Sequence, residues 1–300
     1  MNNPNTAQPI ICFGQQPNGF FPKGFFVDKI LTAKKLQREI GGRIVWFCHD
    51  SDHDYRETIT KIQTDRYPEG FARFNINQPT KFEKLFMPLH LKRIKDGWQE
   101  ETARKLEPIV PKEAWELFQS MKAATVADFC IAMYRGMGLL EGIEVVRSSD
   151  HAFRNQAIDI SGQDHYLDIE YKGVMVHARK SLTAPPLKKG EEGGGGVAYF
   201  LDHGGGVKEY IPYKVPTGRD LSLPSGQVAA LRPLLSPTRE TRFAWMQSVV
   251  NCTHYIYGKG EKEYVDFSPW GDIQFIERAQ SLDPDFAVTH FDPLPPNALK

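Results

Sequence analysis

Two short apolar runs that flank a helical segment constrain the fold of this 300-residue chain more than any other feature. Residues 9–13 and 44–48 are apolar throughout, a pattern typical of strands that are buried on both faces of a parallel sheet. Residues 25–40 carry apolar side chains on one helical face and lysines on the other, and Gly41-Gly42 follows as a helix end. The sequence therefore predicts a β-α-β unit with a right-handed crossover in an α/β fold.

A dense polar cluster follows the second of these strands directly. Residues 49–54 read His-Asp-Ser-Asp-His-Asp, which brings three carboxylates and two imidazoles into one turn. In an open α/β sheet, ligands bind just beyond the carboxyl ends of the strands, so this turn is a candidate site. Histidine beside aspartate is also a combination that active sites use, because each group shifts the pKa of the other. A solvated acidic turn is the alternative interpretation.

A turn-rich loop follows the first strand at the same edge of the sheet. Residues 14–19 read Gly-Gln-Gln-Pro-Asn-Gly and lead into the start of the predicted helix. Free N–H groups and the helix dipole at that place favour an anion such as phosphate. The loop has neither the Gly-Lys-Ser/Thr of a Walker A motif nor the G-x-G-x-x-G of a dinucleotide site. A plain turn therefore stays open as the other interpretation.

The rest of the chain predicts one domain, residues 1–300, with two additions to the parallel-sheet core. Residues 81–138 form a helical insertion, and residues 162–220 form a smaller β and glycine-rich insertion. Residues 188–206 within it are predicted as a mobile surface loop or a lid over substrate. The individual predicted elements are strands at 58–63, 71–76, 143–146, 228–233 and 254–257, helices at 84–105, 112–121, 126–137 and 239–250, and a hairpin at 166–179.

Composition excludes several classes of protein. Lysine plus arginine equals aspartate plus glutamate at 37 each, which does not favour nucleic-acid binding. No apolar run approaches the ~20 residues of a membrane helix, and the N-terminus lacks the features of a signal peptide. The four cysteines stand singly in the sequence, so neither a zinc site nor a disulfide framework is indicated. A soluble cytoplasmic protein without membrane or nucleic-acid partners is expected.

Several short motifs occur in the order and spacing of a known family. The chain resembles the cysteine ligases of bacillithiol biosynthesis, the BshC-type family, over roughly residues 10–264. The motifs that carry the resemblance are Gly14-Gln15-Gln16, K-I-L-T-A-K-K-L-Q-R-E at 29–39, Ser-Asp-His-Asp at 51–54, Y-F-L-D-H-G at 199–204, Leu-Arg-Pro at 231–233 and Y-I-Y-G-K-G-E at 255–261.

The resemblance implies a Rossmann-like core related to nucleotidyltransferases, with a pocket for ATP or ADP. It implies addition of cysteine to a glucosamine–malate acceptor, an amide-forming reaction that needs an activated carboxylate. Ser51 stands where the family has glutamate, and Lys259 stands where it has proline. No heptads continue past Trp270, so the coiled coil through which members of the family dimerise is not expected.

Roles follow for the candidate residues if the chain is a nucleotide-dependent ligase that acts on small molecules. His53 would be the general acid–base group or phosphate donor, oriented by Asp52 or Asp54. His49 and Asp50 would have supporting roles. The expected binding residues are Gly14, Gln15 and Gln16 for phosphate or carboxylate, Arg232 for an anionic group, Gly258 and Gly260 for close backbone approach, and Glu261 for a ribose hydroxyl or an amine.

Two other functions stay open. The steps His49-Asp50 and His53-Asp54 suggest a metal-dependent hydrolase, but histidines at i and i+4 share a face only on a helix, and no metal ligand is assigned. The D-x-D-x-D spacing also resembles a calcium loop, although Tyr55 stands where that loop needs glycine. A non-catalytic homologue that keeps a nucleotide or small-molecule pocket is the other alternative, suggested by Ser51 and Lys259.

Overall fold

A five-stranded parallel sheet forms the centre of the computed structural model, which describes residues 8–180, 198–202, 208–212 and 232–290. The strands are β1 (Ile10–Gln15), β2 (Arg43–Cys48), β3 (Thr60–Gln63), β4 (Phe71–Phe74), β5 (Ile143–Arg147), β6 (His165–Tyr171), β7 (Val174–Lys180), β8 (Ala198–Asp202), β9 (Lys208–Pro212), β10 (Leu235–Pro237), β11 (His254–Tyr257) and β12 (Gln274–Glu277). The α-helices are α1 (Gly24–Ile40), α2 (Lys81–Phe86), α3 (Trp98–Leu106), α4 (Lys112–Ser120), α5 (Val126–Gly136), α6 (His151–Gln156) and α7 (Arg242–Val250).

The strand order of the central sheet is that of a Rossmann-like fold. The order in space is β12-β11-β1-β2-β5, and every neighbouring pair is parallel. Numbered by their sequence in the chain, these five strands lie in the order 3-2-1-4-5. The predicted α/β fold with a parallel sheet is confirmed. Strands β2 and β5 are added on one side of β1, and β11 and β12 are added on its other side. Open α/β sheets bind ligands at such a switch point, which here lies between β1 and β11.

Helices cover both faces of this sheet, which explains why its strands are apolar throughout. On β2, Trp46 packs against Phe26 of α1, with ring centroids 4.9 Å apart. The next residue, Phe47, points to the opposite face and contacts Trp245 of α7 at 6.3 Å. Alternate side chains of each strand therefore enter two separate cores, and a polar residue in mid-strand would be buried on either face.

Helix α1 begins and ends as the sequence predicts, but its N-terminus is covered. Gly41 ends it with a φ of 74°. At the other end, the backbone N–H of Gly24 donates to the carbonyl of Phe286 at 2.9 Å. A Cβ on Gly24 would lie 2.0 Å from the carbonyl oxygen of Asp283, so only glycine permits this contact. The C-terminal segment thus occupies part of the helix start that was expected to bind an anion.

The single helix predicted at 84–105 is wrong, because this stretch forms two helices. Residues 87–97 between α2 and α3 are not α-helical. Pro88 cannot donate to a helix, and the backbone N–H groups of Leu89 and His90 donate instead to the carbonyls of Asp52 and Asp50, at 2.8 and 3.0 Å. Contacts with the turn after β2 therefore replace the helical hydrogen bonds that the apolar spacing suggested.

Aromatic side chains pack between the helices of residues 98–136. Trp98 of α3 lies edge-on to Phe118 of α4, with ring centroids 5.7 Å apart, and Phe118 contacts Phe129 of α5 at 5.4 Å. The indole N–H of Trp115 donates to the carbonyl of Ala103 at 3.0 Å. These rings join the helices to one another and to the face of the central sheet that α1 also covers.

A second, antiparallel sheet lies outside the central one, in the order β10-β6-β7-β8-β9. The predicted hairpin at 166–179 is confirmed as β6 and β7, whose register pairs Asp168 with His177. Four of its strands fall in the stretch predicted as an insertion, 162–220, which stays a prediction because an insertion is defined against relatives. Most of the glycine-rich stretch expected to be a loop or lid lies outside the described residues.

Two elements near the C-terminus differ from prediction. Residues 228–231 lie outside the described part of the chain, but Arg232 and Pro233 belong to a 3-10 turn, Arg232–Leu234, and not to a strand. The helix predicted from residue 239 begins at Arg242. Within the ranges that the structure describes, no helix has the length and apolarity needed to cross a membrane.

Asp28 tests how much the C-terminal segment stabilises the fold. Its fully buried carboxylate accepts hydrogen bonds from the guanidinium of Arg278 at 3.1 Å and the backbone N–H of Ser281 at 3.2 Å. Asp28→Ala leaves the mostly buried Arg278 without its counter-charge, so we expect the free energy of unfolding to fall by about 3–5 kcal/mol in urea titrations. The exposed pair Arg43–Glu144 is the control, and Glu144→Ala should cost less than about 1 kcal/mol. Equal losses in both variants would contradict this assignment.

Candidate functional site

A cavity of about 800 Å³ lies at the switch point of the central sheet. The residues that follow β1, β2 and β11 line it, and α1, α7 and β6 complete its walls. Most of the predicted site residues meet here. The lining residues among those predicted are Gln15, Gln16, Asp52, His53, Asp54, Gly258, Gly260 and Glu261.

Asp52 is held by groups from two other parts of the chain. Its carboxylate accepts hydrogen bonds from the Gln16 amide at 2.7 Å and from the Arg242 guanidinium at 2.8 Å. It also accepts the backbone N–H of Asp54 at 3.0 Å, which closes the turn. Burial alone would raise the pKa of Asp52, but the charge of Arg242, the neighbouring histidines and the hydrogen bond from Asp54 N–H together hold this pKa well below its usual range. Asp52 is therefore a fixed anion that joins β1, β2 and α7.

His53 faces the cavity from the same turn. Burial lowers its pKa to about 4, so the imidazole is neutral at pH 7. Its Nδ1 atom lies 3.9 Å from the carboxylate of Asp52, too far for a hydrogen bond, and has no partner in the described residues. Tyr166 and His177 of the second sheet contact the ring, at centroid distances of 5.7 and 5.4 Å. The site thus includes the second sheet, which the sequence did not indicate.

Asp54 forms hydrogen bonds with Arg56 and none with His53. Both carboxylate oxygens of Asp54 accept hydrogen bonds from the Arg56 guanidinium, the shortest at 2.6 Å. Burial would raise its pKa, but these hydrogen bonds lower it. Of the two aspartates predicted to orient His53, Asp52 is the nearer, and neither is hydrogen-bonded to the ring.

Glu261 closes the opposite side of the cavity. It accepts the backbone N–H of Gly258 at 2.7 Å, which caps its own turn, and the hydroxyl of Tyr255 at 3.0 Å. The ammonium of Lys29, which is almost fully buried on α1, donates to the same carboxylate and to the carbonyl of Gly14 at 2.9 Å. Glu261 therefore both caps its own turn and lines the cavity.

The three glycines predicted as binding residues differ in the space around their Cα atoms. A Cβ on Gly14 would lie 2.8 Å from both His49 Nε2 and the Tyr255 hydroxyl, so no side chain fits there without displacing them. Gly258 has an ordinary φ of −98°, and a Cβ on Gly260 would meet nothing within 4 Å. Close backbone approach is therefore required at Gly14 and not at the other two.

Arg232 does not join the cavity. Its guanidinium lies 3.4 Å from the carbonyl of Asn155, beside α6. The cations that the structure brings to the cavity are instead Lys29, Arg56, Arg239, Arg242, Lys259 and Arg278. The sequence did not indicate Arg56, Arg239, Arg242 or Arg278, because they lie outside the quoted motifs, and it assigned no binding role to Lys29 or Lys259. Lys29 offered one signal, since it interrupts the apolar side of α1 next to Ile30.

Asp50 and Ser51 have structural roles. The carboxylate of Asp50 is fully buried and accepts hydrogen bonds from Arg147 at 2.6 Å and from the Ser149 hydroxyl at 2.7 Å, which joins the ends of β2 and β5. The Ser51 hydroxyl is 2.8 Å from that of Ser148 and does not line the cavity. Asp50 thus has the supporting role expected for it.

Metal ligands do not converge in the described ranges of the chain. No group of three or more histidine, cysteine, aspartate or glutamate side chains there is arranged to hold a metal ion. Asp52 and Asp54 are each paired with an arginine.

Comparison of the sequence with protein-family models gives no match, and neither does comparison with curated proteins.

Lys92 supports the turn that carries His53 and gives a test by pH. Its fully buried ammonium donates to the carbonyls of His53 and Lys84 at 2.8 and 2.9 Å. Burial lowers its pKa to about 7 from 10.5. Between these values the unfolded chain holds this proton and the folded protein does not, so stability rises with pH. Below pH 7 both states hold it, and the full cost of the buried charge applies.

We therefore expect the difference in unfolding free energy between wild type and Lys92→Met to shift in favour of wild type from pH 7 to pH 10. Urea titrations at each pH measure it. Lys105→Met, on the exposed side of α3, is the matched control and should keep the pH dependence of wild type. A constant difference between wild type and Lys92→Met across this range would refute the assignment.

Proposed function

We propose that this chain is the core of a nucleotide-dependent ligase similar to the BshC-type family, which joins the amine of an amino acid to a small carboxylate. The observation that carries the proposal is the cavity at the switch point of a 3-2-1-4-5 parallel sheet, lined by the family-like motifs after β1, β2 and β11. Three segments far apart in sequence, each with a motif of the resemblance, supply side chains to one space. A relation to nucleotidyltransferases is part of this proposal.

The size and charge of the cavity suit a nucleotide and a small substrate together. Its volume of about 800 Å³ is within the usual range for ligand sites, about 300–1,000 Å³. Lys259 and Arg278 line it near the end of β11, and Lys259 has no carboxylate partner in the described residues. Lys259 would hold a phosphate group, and Arg278, which is paired with Asp28, would lie beside it. ATP or ADP is the proposed ligand, and ATP would supply the energy that activates the carboxylate.

His53 would accept the proton that the attacking amine loses when the amide bond forms. The imidazole is neutral at pH 7, so a ring nitrogen is free to take that proton. A bound phosphate beside the ring would raise its pKa toward neutral pH, which would make it a stronger base when the substrates are present. Asp52 would stabilise the imidazolium from 3.9 Å. Arg242 and Gln16 would keep Asp52 in place.

His53→Ala should lower the rate of product formation by about 10²–10⁴-fold, because general acid–base catalysis contributes a factor of this size. The assay supplies ATP, an amino-acid mixture and small carboxylic acids, and measures ADP, AMP and new amides by mass spectrometry. His151→Ala is the control, since it removes an exposed imidazole outside the cavity. Wild-type turnover in a folded His53→Ala protein would refute the role of His53.

A non-catalytic binding protein is the second candidate, and the placement of Ser51 favours it. Where the family has a glutamate, this chain has a serine whose hydroxyl is bonded to Ser148 and does not face the cavity. Saturable nucleotide binding by calorimetry, with no ATP consumed in the assay above, would support this candidate over the ligase. A metal-dependent hydrolase has no comparable support from the described residues.

A further inference from the structure

A second pocket, of about 70 Å³, opens beside the main cavity. Gln15, Gln16, Arg239, Arg242, Glu261 and Tyr264 line both spaces. The small pocket alone reaches Gly14 and His49, and its floor is the apolar group Phe47, Phe243 and Met246. The proposed reaction uses none of this inner space.

His49 is a buried polar group without a partner. The residue is only 8 % exposed, and within the described part of the chain nothing hydrogen-bonds its ring. Buried polar groups normally have a hydrogen-bond partner, and the ring nitrogens of His49 are not among the fully enclosed atoms without one, so they reach the open space of the pocket. Its Nε2 atom lies toward Gly14, 2.8 Å from where a Cβ would stand. An unpaired ring nitrogen that borders an open pocket suggests that a ligand supplies the missing hydrogen bond.

The charges around the pocket favour an anionic ligand. Glu261 is already paired with Lys29, and Tyr255 donates its hydroxyl hydrogen bond to the same carboxylate. Arg239 lines the pocket, its guanidinium lies 4.1 Å from the ring centroid of Tyr264, and it has no carboxylate partner in the described residues. Burial, and next the charge of Arg242, keep the pKa of His49 well below its usual value. The ring is therefore neutral and able to donate one hydrogen bond.

The volume limits the ligand to a few atoms. A water-sized probe needs about 10–15 Å³ of such space, so about 70 Å³ holds roughly five to seven non-hydrogen atoms. An apolar floor with a hydrogen-bond donor and positive charge above it suits a carboxylate on a short aliphatic chain. A carboxylic acid of two or three carbons has this size and this division of polarity.

We propose that the small pocket is a binding subsite for a short-chain carboxylate, that His49 hydrogen-bonds it, and that Gly14 leaves the space that the His49 ring needs. The inference rests on the proposed function only in making this carboxylate a substrate, since binding itself needs no turnover. His49 then has a binding role in addition to the supporting one expected from the sequence. Gly14 is required because a methyl group at this position would lie 2.8 Å from His49 Nε2 and from the Tyr255 hydroxyl, and would displace the ring that holds the ligand.

The test is binding of propionate to the full chain, measured by calorimetry and by the NMR signals of the histidine rings. Two matched ligands separate the effects of charge and size. Propionamide has the same shape without the charge and should bind at least tenfold more weakly. Hexanoate has the charge but three more carbons and should bind at least tenfold more weakly. Equal binding of propionamide and propionate, or no saturation by propionate up to 50 mM, would overturn the proposal.

Two variants test the residues. His49→Phe keeps the edge-on packing against Phe47 but removes both ring nitrogens, and should weaken propionate binding at least tenfold. Gly14→Ala should abolish it, provided that thermal melting shows a folded protein. If Gly14→Ala does not fold, the wild type alone tests the site. Its His49 ring signals should then shift saturably on titration with propionate, and unchanged signals would contradict the proposal. His151→Phe is the control for His49→Phe and should bind propionate as wild type does.

The turnover assay distinguishes a failure of the proposed subsite from a failure of the proposed function. If propionate binds through His49 but no ATP-dependent product forms, the subsite stands and the ligase proposal fails. If product forms and His49→Phe leaves the KM for the carboxylate unchanged, the ligase proposal stands and the subsite fails. A raised KM with kcat nearly unchanged in His49→Phe would support both.

Discussion

The ammonium of Lys29 is the interaction on which the site depends. It is almost fully buried, and it joins the carboxylate of Glu261 to the carbonyl of Gly14 at the end of β1. A buried charge is tolerated only where its partners are fixed, so this lysine requires α1, β1 and the turn after β11 to meet in one arrangement. It connects β1 with the turn after β11. These two strands are the neighbours at which the order of the strands in the sheet reverses. The cavity exists because the chain closes there around a paired charge.

Elements made of neighbouring residues could be predicted, and contacts between distant residues could not. The unit β1-α1-β2 follows from apolar periodicity and two glycines, and the structure has it with boundaries shifted by one or two residues. The break at Pro88 was missed because the competing hydrogen bonds come from Asp50 and Asp52, nearly 40 residues earlier. Arg232 was expected in the site from a motif, but local sequence does not specify where a turn packs. Long-range pairing decided both outcomes.

The same limit explains which site residues were found. Gln16, Asp52, His53 and Glu261 stand directly after strands of the central sheet, and the topological rule for parallel sheets locates such residues at one edge. Tyr166 and Arg242 reach the cavity from a separate sheet and from the first turn of a helix. Nothing in their own sequence marks them. They could be found only once the second sheet and α7 were packed against the core.

Ion pairs with arginine and lysine determine which side chains of the site are available as a base. Asp52 and Asp54 each have an arginine, and Glu261 has a lysine, so the three carboxylates are fixed anions. A carboxylate paired with a cation is a poor base, because the cation stabilises its charged form. In the turn after β2, the neutral imidazoles of His49 and His53 have ring nitrogens without a hydrogen-bond partner in the described residues. One faces the small pocket and the other faces the cavity, so a ligand that fills both spaces would contact both rings.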